Sequence, residues 1–215
     1  MDTQLKIRRC ILTIVLPLFV FVVLTVNVLN GDVHVFDSYI YSLISNIISE
    51  KLTFFMIIIT FLASGTFLGL ISALLVLSIY FKKGRNSFYT AMQVINISLS
   101  SLINVGLKNL ISRTRPDILK LVEVTGFSFP SGHSMASMSF YGFAIYLCFR
   151  FYKGKCKVAL VISLSLLIVL IGFSRIYLGV HYASDVLGGF ALGLFWLGIF
   201  TFLIEKLKEK HVYIF

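Results

Sequence analysis

The sequence predicts an all-α integral membrane protein: six transmembrane helices forming a bundle, with a short amphipathic helix between the first two spans. Three observations predict it. The 215 residues are 58% hydrophobic and only 13% charged, outside the usage of soluble domains. The apolar residues fall into runs near the ~20 residues that a helix needs to cross ~30 Å of hydrocarbon. The charged residues gather in the segments between those runs, and their signs are unequal on alternate segments.

The spans are expected at about 10–29, 53–81, 87–107, 133–151, 156–174 and 184–204, forming a single domain over 1–215. The first, CILTIVLPLFVFVVLTVNVL, carries no charge and one interior proline, which a membrane helix tolerates. It is longer than the apolar core of a signal peptide and no small-x-small cleavage site follows, so it reads as a retained helix. Residues 33–49 are shorter and contain Asp37, with Phe36, Ile40, Leu43, Ile44 and Ile47 at helical spacing. That pattern suits a helix at the membrane surface or on the bundle edge. In the second span, FLASGTFLGLISA supplies small residues that let helices approach closely. The third contains Gln93, Asn96, Ser98 and Ser100, polar groups that at such depth face other helices.

Taking alternate connecting segments together, thirteen of the 19 Lys and Arg lie on one side with three acids, and six lie on the other with six acids. The whole net charge of +10 therefore sits on one face. Basic residues accumulate on the cytoplasmic side of short loops, so both termini are expected to be cytoplasmic. Anionic headgroups account for the basic excess, and no nucleic-acid partner is expected. Cys10, Cys148 and Cys156 map near the cytoplasmic ends of spans, and no disulfide is predicted. No zinc-type Cys or His spacing occurs.

The opposite face carries the chemistry. KNLISRTRP places Lys108 seven positions before Arg115, FPSGHS holds Ser131, Gly132 and His133, and SRIYLGVHYASD holds Arg175, His181 and Asp185. Ionisable clusters at a bilayer face rarely serve packing alone. Lys108, Arg115 and Arg175 can neutralise a phosphoryl group, with Arg offering paired donors. Pro-Ser-Gly ahead of a span suggests a helix N-terminus, with Ser131 as cap and free N–H groups, including that of Gly132, favouring an anion. If HYASDVLGG opens the last helix, His181 and Asp185 lie one turn apart, and Asp185 can hold one ring nitrogen while the other acts as a nucleophile. His133 is free to protonate a leaving oxygen.

At these residues the chain resembles the type 2 phosphatidic acid phosphatase superfamily, whose signatures are Lys-x6-Arg-Pro, Pro-Ser-Gly-His and Ser-Arg-x5-His-x3-Asp. All three occur intact and in order, spanning residues 108–185. The resemblance implies a metal-independent hydrolase with no cofactor. His181 would form a phosphohistidine, Asp185 would orient it, and His133 would act as acid and then base. Lys108, Arg115, Ser131, Gly132 and Arg175 would hold the phosphoryl oxygens. The substrate class is a membrane lipid phosphate or pyrophosphate. An outward-facing site favours undecaprenyl pyrophosphate, with phosphatidylglycerol phosphate and phosphatidic acid as alternatives. A phosphate-binding lipid transporter is the remote alternative, since the polar cluster sits at one face and not the midplane. Halide oxidation with vanadate is disfavoured by the spans and small size.

The remaining polar residues read as structural. Arg113 and Lys120 suit snorkelling anchors, and Asp117 and Glu123 suit solvated loop charges that could also influence headgroup choice. His34 and His211 match no motif and read as surface residues. Tyr177 and Tyr182 suit interfacial aromatics, and the glycines of LGGFALGLFWLG suit helix packing.

Overall fold

The computed structural model describes residues 3–81 and 85–212. Among them every regular element is helical: α1 (Thr3–Cys10), a π-turn (Ile11–Val15), α2 (Leu16–Asn30), α3 (His34–Ser45), α4 (Glu50–Phe61), α5 (Gly65–Phe81), α6 (Arg85–Ile111), α7 (Gly132–Phe151), α8 (Gly154–Tyr177) and α9 (Ala183–Val212). The loop residues Lys82 and Lys83 and the side chain of His211 lie outside the described residues.

Four helical stretches are long and apolar enough to cross a membrane, Ile7–Asn30, Ser87–Ile111, Gly154–Tyr177 and Ala183–Lys208, and the bent pair α4–α5 makes a fifth if it is one span. The stretch 53–81, expected as one span, falls in two helices with 40° between them. Ser64 caps α5 at the break, its Oγ accepting from the Phe67 N–H at 3.1 Å. The Tyr141 hydroxyl donates to the Leu62 carbonyl at 2.7 Å at the break. Helix α7 has 20 residues but a mixed composition with Gly, Ser and Tyr. Its position explains this, because it packs on α6, α8 and α9 and presents little surface outward.

Proline in the first span is accommodated by the π-turn that precedes it. Pro17 offers no N–H to the carbonyl of Thr13, and a widened turn just ahead of it takes up the mismatch. Helix α9 crosses at that carbonyl, where a Cβ on Gly198 would fall 2.3 Å from the Thr13 oxygen. The glycines of α9 are packing positions throughout: a Cβ on Gly188 would meet the Phe129 ring, on Gly189 the Ser131 carbonyl and on Gly193 the Met138 side chain.

The polar face of α6 turns to α7. Gln93 donates to the Phe140 carbonyl, Asn96 to the Ser139 carbonyl, and Ser100 pairs with the Ser139 hydroxyl. Ser98 departs from the expectation and is exposed. Helix α3 also differs in its facing. Its inward stripe is Asp37, Ile40 and Ile44, docked on α8 and α9, while Phe36 and Leu43 are exposed. The acid turns inward because a cation waits there.

The two ends of the bundle differ in charge. At one end Arg9 makes paired bonds to Glu205 at 2.7 and 2.8 Å, and Arg150 and Lys208 lie over Tyr89. At the other, the end of α6, the starts of α7 and α9 and the end of α8 converge around residues 112–131, which form no helix. All three cysteines are free.

Candidate active site

The motif residues come to this second end from the end of α6, the start of α7, the end of α8, the start of α9 and the two loops that join these helices. Lys108 lies in the last turn of α6, and its ammonium donates to the Phe127 and Ser128 carbonyls at 2.6 and 3.0 Å. Arg115 is strapped to the loop backbone through the Gly126, Thr125 and Val180 carbonyls, and its Nη1 lies 3.2 Å from His181 Nε2. Ser131 caps α7 as expected, and its own N–H donates to the Asp185 carbonyl at 2.9 Å. Gly132 opens α7 beside Asn104, whose Oδ1 would stand 3.0 Å from a Cβ there. Arg175 lies in the last turn of α8, buried to 3% exposure; its Nη1 donates to Thr60 at 2.7 Å while its Nε has no partner among the described residues.

His181 and Asp185 meet by a route the spacing did not indicate. Helix α9 begins at Ala183, so His181 precedes it in the turn after α8, and the two residues do not share a helix face. Asp185 reaches back in the manner of a capping box, accepting from the Tyr182 N–H at 2.9 Å. His181 Nδ1 lies 3.4 Å from Asp185 Oδ2, and Ser128 closes the gap: its hydroxyl donates to Asp185 at 2.5 Å and lies 3.2 Å from His181 Nδ1. Burial pushes the His181 pKa down to about 3, against the opposing pull of Asp185. The ring is therefore neutral near pH 7, with Nε2 toward Arg115. Burial likewise lowers the Arg115 pKa from its ordinary value.

Lys108, Arg115, Gly132, His133, Arg175 and His181 line one cavity of about 400 Å³, with Glu123 and Thr125 on its wall. The structure thus gathers the predicted site residues at one place, three cations and two imidazoles around a space with room for a phosphoryl group. Among the described residues no group of three His, Cys, Asp or Glu is arranged to hold a metal.

Several polar residues take roles other than those expected. Arg113 is no snorkelling anchor: it donates to Asp185 at 2.6 Å, to Ser184 at 2.8 Å and to Asp37 at 2.8 Å, with its guanidinium over the Tyr182 ring. Asp37 also accepts from the N–H and hydroxyl of Ser184. Tyr177, expected at the interface, is fully buried and bonded to Ser49 and Thr53. Lys120 and Asp117 are exposed. Ser128 and Asp37 were missed as site-supporting residues, although an acid in the amphipathic stretch and a third basic residue inside Lys-x6-Arg-Pro were a legible pair of unbalanced charges.

A bundle of membrane-length helices with a cationic, histidine-bearing cavity at one end defines a membrane enzyme for phosphorylated substrates. The chain belongs to the PAP2 superfamily, which it matches over residues 90–209. It is 38% identical to phosphatidylglycerophosphatase B of Bacillus subtilis over 151 residues, 67% of this chain and 72% of that protein. It is 35% identical to lipid A 4'-phosphatase of Bacteroides thetaiotaomicron over 124 residues, about half of each chain. Its structure resembles the crystal structure of a transmembrane PAP2-type phosphatidylglycerolphosphate phosphatase from Bacillus subtilis, with a TM-score of 0.81 at 32% identity, covering 89% of this chain and 96% of that one.

Proposed function

We propose that this protein removes the terminal phosphate of phosphatidylglycerol phosphate, without a metal, at the extracytoplasmic end of a six-span bundle occupying the whole chain. That it is a membrane lipid phosphatase of the PAP2 superfamily follows from its relatives. The observation that carries the mechanism is the two-sided setting of His181: Nδ1 against Ser128 and Asp185, Nε2 toward the cation-lined cavity. With Nδ1 carrying its proton toward the Ser128–Asp185 pair, the Nε2 lone pair attacks phosphorus and the bond to the lipid oxygen breaks. His133, across the same cavity, gives that oxygen its proton. It then takes a proton from the water that cleaves the N–P bond, releasing phosphate and restoring His181. Lys108, Arg115 and Arg175, with the backbone at Gly132 and the Ser131 cap, neutralise the equatorial oxygens.

The relatives shift the leading substrate from undecaprenyl pyrophosphate, which the position of the site favours, to phosphatidylglycerol phosphate. The pyrophosphate remains a second reading because three cations in one cavity also suit its larger charge. Phosphate release by the purified protein in detergent with excess chelator, offered each lipid, decides between them. We expect phosphatidylglycerol phosphate to be hydrolysed fastest, with a loss of at least ~10³ in His181→Ala. Full inactivation by the chelator, or wild-type turnover in His181→Ala, overturns the mechanism. Preference for the pyrophosphate overturns the substrate assignment alone.

A further inference from the structure

The small residues of α5 hold a space open, although in sequence they suggest close helix contact. A Cβ on Gly65 or Gly69 would meet nothing within 4 Å. Both edge a second cavity, of about 450 Å³, between the α4–α5 break, α6 and the start of α7. Gly132 and His133 line this cavity as well as the phosphate-sized one, so the two adjoin at the start of α7. Its wall is not purely apolar, because Ser72, Ser98 and Ser101 lie on it. The Ser72 hydroxyl is buried with no hydrogen-bond partner among the described residues. A serine within a helix has an easy partner in the carbonyl one turn back, and a buried hydroxyl left without one is costly. An acceptor is therefore wanted inside the cavity.

Position along α6 indicates which acceptor. Ser101 precedes Lys108 by seven residues, which places it ~10 Å deeper along the helix at 1.5 Å per residue. A glycerolipid whose phosphate meets Lys108 carries its ester carbonyls below the headgroup, and these are acceptors with no donor of their own. A polyprenyl tail carries only hydrocarbon at that depth and would leave the Ser72 hydroxyl unpaired. The geometry points to this cavity as the seat of the ester-linked glycerol backbone of the lipid substrate, with Ser72 and Ser101 donating to its carbonyls. This assignment rests on the lipid phosphatase reading above and adds to it the feature of the lipid that is recognised.

The test compares phosphatidylglycerol phosphate with ester-linked tails and its dialkyl ether analogue of equal chain length, on the purified full-length protein in mixed micelles. One or two lost hydrogen bonds correspond to a preference of about 3- to 10-fold for the ester in kcat/KM, expressed mainly in KM. In Ser72→Ala with Ser101→Ala the ratio should fall toward one, and Gly69→Leu, which fills the cavity, should lower kcat/KM for both lipids. A wild-type ratio near one, or a ratio unchanged in the double variant, overturns the assignment while leaving the phosphatase reading intact. Phosphate release from neither lipid by a folded protein overturns the phosphatase reading, and this assignment with it.

Discussion

Arg113 illustrates how much one side chain can hold. It joins Asp37 of α3 to Asp185 of α9 with both carboxylates at most 2% exposed, so its removal leaves two buried charges short of a partner. Breaking such pairs typically costs ~3–5 kcal/mol. Arg113→Leu should therefore lower the thermal unfolding midpoint in detergent and reduce phosphate release, and pairing it with Asp37→Leu should recover part of the stability. Ser128 acts one step closer, between Asp185 and His181. Ser128→Ala should lower kcat by about 10- to 100-fold with little change in KM, because it frees the ring that Asp185 alone meets only at 3.4 Å. The His181 pKa, lowered from 6.5 to about 3 by burial, has a definite pH signature. Between those values the unfolded chain binds the extra proton and the folded chain does not, so stability falls as pH falls through this window. The unfolding midpoint should drop with acid there, and His181→Ala should flatten the slope.

At the scale of elements, contact between α7 and α9 governs the site. Gly189 touches the Ser131 carbonyl and Ser134, where an added Cβ would stand 2.5 and 2.8 Å away. Gly189→Val must push the two helices apart at the cap that presents Gly132, so both stability and phosphate release should fall, by ~1–3 kcal/mol for the overpacking. Gly106→Ala on α6, where a Cβ meets nothing within 4 Å, should be tolerated or mildly stabilising. Comparing the two melting curves separates packing from propensity. The sequence suggested packing for the glycines of α9 and for those of α5, and only the former pack. Both stretches set glycines among apolar residues; whether a neighbouring helix reaches the glycine is a matter of crossing geometry that no local pattern encodes.

At the scale of the whole molecule, the unequal ends of the bundle orient it. The end bearing Arg9, Arg150 and Lys208 should face the cytoplasm, and the site the outside. With Cys10, Cys148 and Cys156 as the native thiols, a cysteine introduced at exposed Asp117 should react with an impermeant maleimide on intact cells, while Cys156 should react only after permeabilisation. The reverse pattern would invert the protein.

The sequence by itself determined the membrane class, the charge asymmetry and the residues of the three motifs, because hydrophobicity, charge and motif spacing are properties of the chain read in order. Only the tertiary structure decided that the second span breaks at Leu62–Ser64, that Arg113 links Asp37 to Asp185, that Ser128 stands between Asp185 and His181, and that the small residues of α5 border a cavity. Each of these involves partners at least 57 residues apart or the space between helices. Buried polar groups take whichever partner the packing brings within hydrogen-bond reach, and that choice is made in three dimensions.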